Sequence, residues 1–568
     1  MKPLSRIILS IFLLLNYVIT ETSIPYRNVM YYGEWSIYDG ENNFYPSKMN
    51  PKLISHRNFA FLDLDSNGDL VLCDEYADFL ITSLPELDGI SYGAPYAGVI
   101  GAIAILKIKN PHIKVGISVG GWTRSGDFPG VAGDETKRKN FAKNIVKFID
   151  YIGYDFVDID WEYPTAVRPS DGGDEGCPGS PADTENFTLL LQELRNELDA
   201  LGKKNDRHYE LSIAMSASPA YMAQIQYDKV LQIVDYANMM TYDMTGTYNA
   251  YTAHHTALYT NNAYNPDTMS EAQFSADNCI RYLEETYGNT IDYKKLMIGV
   301  APYSKGWGGV KNDGLDPNNP GLYASAEPNS IIGPDGTTSG AYPFCQIPIM
   351  MEKYNLNKYF DNTAKASYYY NPSGGYFFTI DNEESVAAKG EYVKQKGLGG
   401  LITWMASHDA ENVLTKVMFD SLYGEDYVYP DEELKFSKVE ATANINVIES
   451  GYEIKITNNE VTEETNTALK DAELFKKSIL YMKLYIKSKS KEKFYPGSMS
   501  GNVINEDGVG IVDPSDIYDS RNIAPGGYYT FTVKINGVPD LADIESLTLT
   551  QRILKTLPEM KKQILYQN

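Results

Sequence analysis

Three carboxylates at strict two-residue spacing are the feature of this sequence best suited to chemistry. Asp158, Asp160 and Glu162 alternate with the apolar residues Ile159 and Trp161. Residues two apart in a β-strand lie on one face, about 6–7 Å from each other, so the three carboxylates would line one side of a strand. Like charges in a site of low dielectric raise one another's pKa values, and at least one of the three should hold a proton near neutral pH. A carboxyl that keeps its proton can act as a general acid.

An acidic run has two other interpretations, a solvated surface and a calcium site. Val157, Ile159 and Trp161 argue against a solvated surface, because bulky apolar residues at every alternate position prefer burial. The spacing alone does not separate a calcium site from an acid catalyst.

The segment from Asp155 to Glu162 resembles the DxxDxDxE signature of family 18 glycoside hydrolases, the chitinases and their relatives. Five further segments resemble motifs of the same family in the same order. They are residues 29–35 for the first barrel strand, 58–61 for the second, 114–122 with an SxGG motif for the third, 239–243 with an MxYD motif for the sixth and 397–404 for the eighth. Six motifs in the family's order are far more specific than the acidic motif alone, and they favour catalysis over calcium binding.

The resemblance implies substrate-assisted retaining hydrolysis, in which the 2-acetamido oxygen of the substrate attacks the anomeric carbon. Glu162 would protonate the leaving oxygen and later deprotonate the incoming water. Asp160 would accept the acetamido N–H, and Asp158 would share a proton with Asp160. Tyr242 would donate its hydroxyl to the acetamido oxygen. No metal and no cofactor is implied.

The resemblance also implies a sugar-binding cleft of aromatic and polar residues at the ends of the barrel strands. Its candidate substrate-binding residues are Tyr31, Phe61, Gly121, Trp122, Tyr163, Met240, Asp243, Tyr303 and Trp404. Trp404 would form the floor under the reacting sugar, since an indole face suits the apolar face of a pyranose. Trp307 is a further candidate for a neighbouring subsite. Trp161 alternates away from the acidic face and is expected in the core.

Eight short apolar runs alternate with helical stretches, which is the pattern of a parallel sheet. The runs are 29–32, 58–64, 114–118, 156–160, 210–215, 236–241, 296–300 and 401–404. They predict an α/β fold, a (β/α)8 TIM barrel over residues 26–424 with its active site at the C-terminal ends of the strands. The resemblance implies that an insertion at about 308–375, rich in Gly, Pro, Asn and Tyr, forms a small α+β subdomain.

The pattern changes after a predicted linker at 425–433. Residues 434–568 have a period of two without intervening helices, which predicts an antiparallel β-sandwich-like accessory domain. All five tryptophans precede this region, so a sugar-stacking surface there would have to use Tyr. Two roles stay open, a carbohydrate-binding module and a structural or attachment domain.

The net charge and the N-terminal segment limit the partners and the location that the sequence predicts for the protein. A formal net charge of −25 argues against nucleic acid and is compatible with a neutral polysaccharide. The N-terminal segment predicts a signal peptide at 1–22, from Lys2 and Arg6, the apolar residues 7–15 and the polar stretch 20–23. An uncleaved membrane anchor is the alternative.

In an oxidising compartment the four cysteines could form two disulfide bonds, in any of three pairings.

Together with these features, the resemblance implies a secreted, monomeric chitinase that hydrolyses β-1,4-N-acetylglucosamine linkages in chitin or chitooligosaccharides, with no membrane attachment after removal of the signal peptide. A chitin-binding lectin and an endo-β-N-acetylglucosaminidase acting on N-glycans are the alternatives on the same barrel. Such lectins typically lack an acidic residue of the motif, which is complete here. The insertion and the aromatic residues at the strand ends favour a long chitin cleft.

Overall fold

Eight parallel strands, β1 to β8, close into a barrel in the computed structural model. The structure describes residues 24–38, 40, 43–430, 432, 434, 438–560 and 562–568. The strands are β1 (Arg27–Gly33), β2 (His56–Leu64), β3 (Lys114–Gly120), β4 (Phe156–Asp160), β5 (Glu210–Ser216), β6 (Tyr236–Met240), β7 (Leu296–Val300) and β8 (Gly400–Thr403). Each strand pairs with the next, and β8 pairs with β1 to close the ring. The predicted (β/α)8 TIM barrel is confirmed, whereas the predicted signal peptide at 1–22 lies outside the described residues.

Helices pack around the barrel and form the main core against its strands. They span Gly98–Lys109, Phe128–Gly133, Glu135–Ile152, Asp183–Asn205, Pro219–Met222, Tyr227–Ile233, Ala276–Tyr287, Glu383–Lys396 and Val413–Tyr423. In the helix Glu135–Ile152, Asp134 caps the first turn by accepting the backbone N–H groups of Thr136 and Lys137, and Gly153 ends the helix in the left-handed conformation. Its buried apolar residues recur every three or four positions, which directs one face toward the barrel strands.

The insertion between β7 and β8 is a small α+β subdomain, as predicted. Its antiparallel sheet has the order Lys305–Trp307, Tyr376–Thr379, Ala366–Asn371 and Asn357–Asp361, and the helix Ile347–Tyr354 precedes the last of these strands in the chain. The sheet thus begins and ends a few residues outside the predicted range 308–375. Trp307, Tyr368, Tyr370 and Phe377 are among its buried core residues, which accounts for the abundance of aromatic residues in this segment.

The C-terminal domain has two main antiparallel sheets around a core of its own, in agreement with the sequence-based prediction. One sheet contains Ala441–Ile448, Gly451–Asn458, Tyr528–Lys534 and Tyr495–Pro496. The other contains Asn502–Glu506, Val509–Asp513, Lys483–Ser488, Ile544–Thr550 and Gln563–Gln567, and a two-stranded ladder joins Ile479–Leu480 to Asn522–Ile523. The sequence pattern missed the helix Thr467–Lys477, which lies between two of these strands.

That helix docks the C-terminal domain onto the barrel. The Phe475 ring lies 3.8 Å from the Tyr96 ring between centroids, and the Tyr96 hydroxyl donates to the Phe475 carbonyl at 3.2 Å. Lys476 Nζ lies 2.7 Å from Asp150 Oδ2. Ala468, Leu469, Ala472 and Phe475 belong to the same buried cluster as the barrel core, so the domain is packed on the barrel instead of being tethered to it.

The first part of the predicted linker is also packed on the barrel. Tyr427 and Tyr429 contact the rings of Phe419 and Tyr423 in the helix Val413–Tyr423. Tyr429 is buried. These described residues of 425–433 therefore extend the barrel's hydrophobic surface toward the second domain.

The expected disulfide bonds are absent from the structure. The four cysteines, none of which forms a disulfide, are Cys73, Cys177, Cys279 and Cys345. The Trp161 indole N–H donates to Cys177 Sγ at 3.5 Å, and Cys279 Sγ donates to the Ala217 carbonyl at 3.2 Å. These two buried thiols are thus engaged in different parts of the core.

Within the described ranges, none of the helices combines the length and apolar character that a membrane span requires.

Replacing Phe475 by Ala is expected to cost about 3–5 kcal/mol of folding free energy, the usual range for Phe→Ala in a packed core. Phe475 is 5% exposed and fills the contact between the helix Thr467–Lys477 and the barrel. Differential scanning calorimetry would record the loss as a lower Tm. Tyr528→Ala removes an exposed aromatic side chain from the same domain and serves as the control. Equal Tm values for the two variants would contradict the docked arrangement.

Candidate active site

Asp158 lies inside β4, in register with Ser118 of β3 and Ser212 of β5. Ser212 Oγ donates to Asp158 Oδ1 at 2.6 Å, and Ser118 Oγ donates to Oδ2 at 2.7 Å. The Tyr31 hydroxyl donates to Oδ2 at 2.8 Å and the Asn238 amide to Oδ1 at 3.3 Å. Both oxygens are thus filled by protein donors, which argues against a calcium site at this carboxylate.

Two opposing effects act on the proton affinity of Asp158. Complete burial raises the pKa of this carboxyl above its ordinary value, and hydrogen bonds from the hydroxyls of Ser212, Ser118 and Tyr31 to the ionised form offset only part of the rise. Donors on both oxygens fix the position of the Asp158 carboxyl group.

Asp160, at the end of β4, has the opposite environment. The residue is 4% exposed, and its Oδ1 has no hydrogen-bond partner among the described residues. Burial raises the pKa of Asp160 well above its ordinary value, and the charges of Glu162 and Asp158 raise it further. Leaving a buried polar atom unpaired costs about 1–3 kcal/mol, so a donor from a bound ligand would be stabilising here.

The predicted proton-sharing pair of Asp158 and Asp160 stays a prediction. In the described part of the chain, no hydrogen bond connects the two carboxyl groups. In this conformation Asp158 acts on Asp160 through its charge.

Glu162 follows β4 by two residues and is 9% exposed. Its backbone N–H donates to Ser125 Oγ at 2.9 Å, which fixes the chain as it leaves the strand. Burial raises the pKa of Glu162 to about 7, the nearby Tyr163 hydroxyl opposes this rise and the Asp243 anion adds to it. A carboxyl with a pKa near 7 is half protonated at neutral pH, as a general acid must be.

Tyr242 lies beside both acids because β7 leaves room for its ring. A Cβ atom at Gly299 would come within 2.6 Å of the Tyr242 ring, so the position requires glycine. Burial raises the pKa of Tyr242 well above its ordinary value, and the charges of Asp160 and Glu162 add to the rise. The phenol therefore remains a neutral hydrogen-bond donor.

Asp243 is held by two basic side chains at the edge of the site. Its Oδ1 lies 3.2 Å from Lys305 Nζ and 3.5 Å from His255 Nδ1, and its side chain is 51% exposed. Desolvation opposes ionisation, but the Lys305 ammonium and the contact with His255 lower the pKa of Asp243 below its usual range. His255 Nε2 lies 3.1 Å from the carbonyl oxygen of Tyr303, which fixes the imidazole. Asp243 therefore remains ionised and places a negative charge near Glu162.

Trp404 follows β8 and lies within an aromatic cluster. Its ring centroid is 5.5 Å from Phe61, 5.8 Å from Tyr31 and 6.1 Å from Trp35. Gly121, with a φ of 89°, allows this packing, since a Cβ there would lie 2.8 Å from the Phe61 ring. The cluster forms one wall of the site.

Three of the remaining predicted residues border the same site. Half-buried Met240 packs in the cluster that contains Trp404 and Tyr242. The Tyr163 ring stacks on Tyr221 with centroids 4.8 Å apart and meets the edge of Trp122 at 6.4 Å. Trp122 is 49% exposed, and it presents an aromatic surface to solvent.

Two tryptophans and one aspartate lie away from the cleft. Trp161 is buried, as expected, and stacks on Phe128 at 5.4 Å. Trp307 is fully buried in the insertion, so the prediction that it contributes to a neighbouring sugar subsite is wrong. Asp155 pairs with Lys107 at 2.7 Å and anchors the start of β4.

Sequence reasoning missed several residues that orient the acids. Ser118 and Ser212 hydrogen-bond to Asp158 from the two adjacent strands β3 and β5, and Asn238 does so from β6. Strand register could have found the two serines, because they face Asp158 directly. No local pattern links Lys305 or His255 to Asp243.

A carboxyl that keeps its proton near neutral pH, at the C-terminal rim of a (β/α)8 barrel and beside aromatic faces, is typical of enzymes that cleave glycosidic bonds. Comparison with known proteins narrows this class. The sequence profile of glycosyl hydrolases family 18 matches residues 27–409. The chain belongs to that family and is a glycoside hydrolase.

Individual relatives agree with this assignment. Chitinase A1 of Niallia circulans is 32% identical over 428 residues, which cover 69% of this chain and 58% of that protein. Endochitinase 1 of Metarhizium robertsii is 30% identical over 68% of this chain and 82% of its own length. The structure of chitinase ChiA74 from Bacillus thuringiensis covers 95% of this chain and 100% of its own, with a TM-score of 0.60 at 23% identity, and shares the fold.

Asp243→Asn is expected to lower the pKa of Glu162 from about 7, since it removes a negative charge that disfavours ionisation of that acid. The alkaline fall of kcat/KM should then move to lower pH by roughly half a unit to one unit. A pH–rate profile measures the shift. Asp199→Asn, on the outer face of the helix Asp183–Asn205, is the control. An unmoved or raised alkaline limb would contradict the assigned electrostatics.

Proposed function

We propose that this protein is a secreted chitinase that hydrolyses β-1,4-N-acetylglucosamine linkages by substrate-assisted retaining catalysis. Its substrate would be chitin or chitooligosaccharides, and it would act as a monomer without membrane attachment or nucleic-acid partner. Family membership and the names of the relatives support the substrate. The charge of −25 is compatible with a neutral polymer.

The observation that carries the proposed mechanism is the contrast between Asp160 and Glu162. Glu162 has a pKa of about 7 and can deliver a proton, whereas Asp160 is buried and its Oδ1 has no hydrogen-bond partner in the described ranges. A generic retaining glycosidase needs a second carboxylate across the bond as nucleophile. Asp160 is the last residue of the strand that Glu162 follows, so the two carboxyl groups come from the same side of the site. The other nearby carboxylate, Asp243, is held by Lys305 and His255. This arrangement favours an internal nucleophile supplied by the substrate.

In the first step Glu162 protonates the glycosidic oxygen as the bond to the anomeric carbon breaks. The acetamido carbonyl oxygen attacks that carbon and forms an oxazolinium ion, so the anomeric configuration inverts once. Asp160 accepts the acetamido N–H through a carboxyl oxygen, which orients the carbonyl oxygen of the group for attack. The neutral Tyr242 hydroxyl donates to the acetamido oxygen.

In the second step water attacks the anomeric carbon and the carbonyl oxygen leaves. Glu162, now ionised, takes a proton from that water and returns to its starting state. A second inversion gives net retention without a covalent enzyme intermediate. The indole of Trp404 lies where it can stack on the reacting sugar.

For the C-terminal domain, the docked helix supports a structural role. The outward face of its four-stranded sheet presents Tyr528 among Thr, Asn and Lys side chains. Tyr495 is also exposed on that face, but it lies beside Lys534, at the opposite end of the strand Tyr528–Lys534 from Tyr528. Two tyrosines at opposite ends of one strand differ from the continuous aromatic row that a crystalline polysaccharide would require.

Glu162→Gln is expected to reduce hydrolysis of chitin oligosaccharides by at least about a hundredfold, since a general acid contributes roughly 10²- to 10⁴-fold. Reducing-sugar release and oligosaccharide chromatography measure the loss, and Tm verifies folding. Glu391→Gln, an exposed substitution on the helix Glu383–Lys396, is the matched control. Binding without hydrolysis by the native protein would instead favour a lectin, and release of glycans from N-glycoproteins would favour the endo-β-N-acetylglucosaminidase.

Substrates with an altered acetamido group test the internal nucleophile. Replacing the acetyl group by trifluoroacetyl should slow hydrolysis strongly, because fluorine withdraws electrons from the attacking oxygen, and a 2-hydroxy analogue should be inert. Steady-state kinetics with chromogenic glycosides provide the comparison. Comparable rates for all three substrates would exclude substrate assistance.

A further inference from the structure

Trp122 is half exposed, yet its contacts leave it little freedom. The guanidinium of Arg168 covers one face of the indole, with Cζ 3.8 Å from the ring centroid. An Arg168 N–H also donates to the Trp122 carbonyl oxygen. The indole N–H lies within hydrogen-bonding reach of Asp174. The ring is therefore held by its covered face and by its polar edge.

Arg168 and Asp174 belong to one element, residues 167–178, here called the rim hairpin. Val167–Arg168 pairs antiparallel with Cys177–Pro178, and Arg168 Nη1 lies 2.7 Å from Asp174 Oδ2. This ion pair joins the residue that covers the indole to the residue that meets its N–H. The two side chains thus support each other's position.

The rim hairpin is tied to the loop that carries Trp122. The Glu175 backbone N–H donates to the Thr123 carbonyl oxygen at 3.0 Å. Arg124 Nη1 lies 3.2 Å from Asp63 Oδ2 and 4.0 Å from Glu175 Oε1. Hairpin, Trp122 loop and the end of β2 therefore form one connected rim.

We propose that the rim hairpin is a positioning device that fixes Trp122 with a single open face, and that Arg168 thereby sets the enzyme's preference for long over short chitin chains. The proposal rests on the proposed function for its substrate. Arg168 acts through Trp122 and not on the reacting bond. A ring held in place before binding loses less conformational entropy when a sugar stacks on it, which favours every added sugar unit that reaches it.

Arg168 has a second consequence at the acid itself. Its positive charge lowers the pKa of Glu162, in opposition to burial and to the Asp243 anion. Removing Arg168 should therefore raise the pKa of Glu162 and move the alkaline limb of the pH profile upward. A residue with a purely structural role would leave that limb in place.

The test compares Arg168→Ala with Arg168→Lys on a chromogenic disaccharide and on a hexasaccharide of N-acetylglucosamine. Arg168→Ala is expected to raise KM for the hexasaccharide by about tenfold, equivalent to ~1.4 kcal/mol, with a much smaller change in kcat and in KM for the disaccharide. Arg168→Lys should fall between, because lysine keeps the charge without the planar stacking group. Arg281→Ala, an exposed arginine paired with Asp277, is the control.

A double-variant cycle asks whether Arg168 acts through Trp122. Arg168→Ala combined with Trp122→Ala should bind the hexasaccharide no worse than Trp122→Ala alone. Additive losses would overturn the proposal, and so would an unchanged KM in Arg168→Ala.

A fluorescence measurement that needs no substrate separates failure of this proposal from failure of the proposed function. The fluorescence assigned to Trp122, obtained by subtracting the Trp122→Phe spectrum, should become more accessible to acrylamide in Arg168→Ala. If the native protein hydrolyses no chitin oligosaccharide, the proposed function is wrong, and increased quenching still supports the held indole. Unchanged quenching in Arg168→Ala overturns the proposal that the rim hairpin holds the indole.

Discussion

The burial of three carboxyl groups on one strand is the constraint on which the site depends. Water would screen Asp158, Asp160 and Glu162 from one another, but the barrel excludes it, and the charges can coexist only if protons or donors compensate them. Asp158 is compensated by hydroxyl and amide donors from four other strands of the barrel. Asp160 Oδ1 has no such donor among the residues that the structure describes, and Glu162 has a pKa of about 7. The same spacing thus produces one carboxyl group whose oxygens both accept from protein donors and two carboxyl groups able to hold a proton.

Much of the barrel and of the acid row could be predicted because both depend on local periodicity. Buried parallel strands are nearly continuous apolar runs, and all eight were found in the sequence. Alternation placed Asp158, Asp160 and Glu162 on one face and Trp161 on the other, as the structure has them. Contacts between distant segments carry no such signal. Ser118 and Ser212 depend on register across strands, and Lys305 reaches Asp243 from the insertion.

In the C-terminal region the two-residue hydrophobic period predicted strands alone, and the helix Thr467–Lys477 was missed. Asn466 caps a helix whose buried residues Ala468, Leu469, Ala472 and Phe475 recur at helical spacing, a signal that was present but surrounded by strands. Its apolar face is covered by the barrel, so the accessory domain and the catalytic domain share a packed boundary. Two other parts of the chain thus pack on the barrel. The insertion supplies Lys305 to the site, and the helix Thr467–Lys477 of the C-terminal domain packs on the outer surface of the barrel.

Neutron diffraction from crystals grown near neutral pH would test the central claim most directly, because it locates the protons on the acid row. The account predicts deuterium on the Asp160 carboxyl and none on Asp158, whose oxygens should accept from Tyr31, Ser118 and Ser212. An ionised Asp160, or a proton on Asp158 with its hydroxyl donors turned away, would contradict the division of roles from which the chemistry is derived.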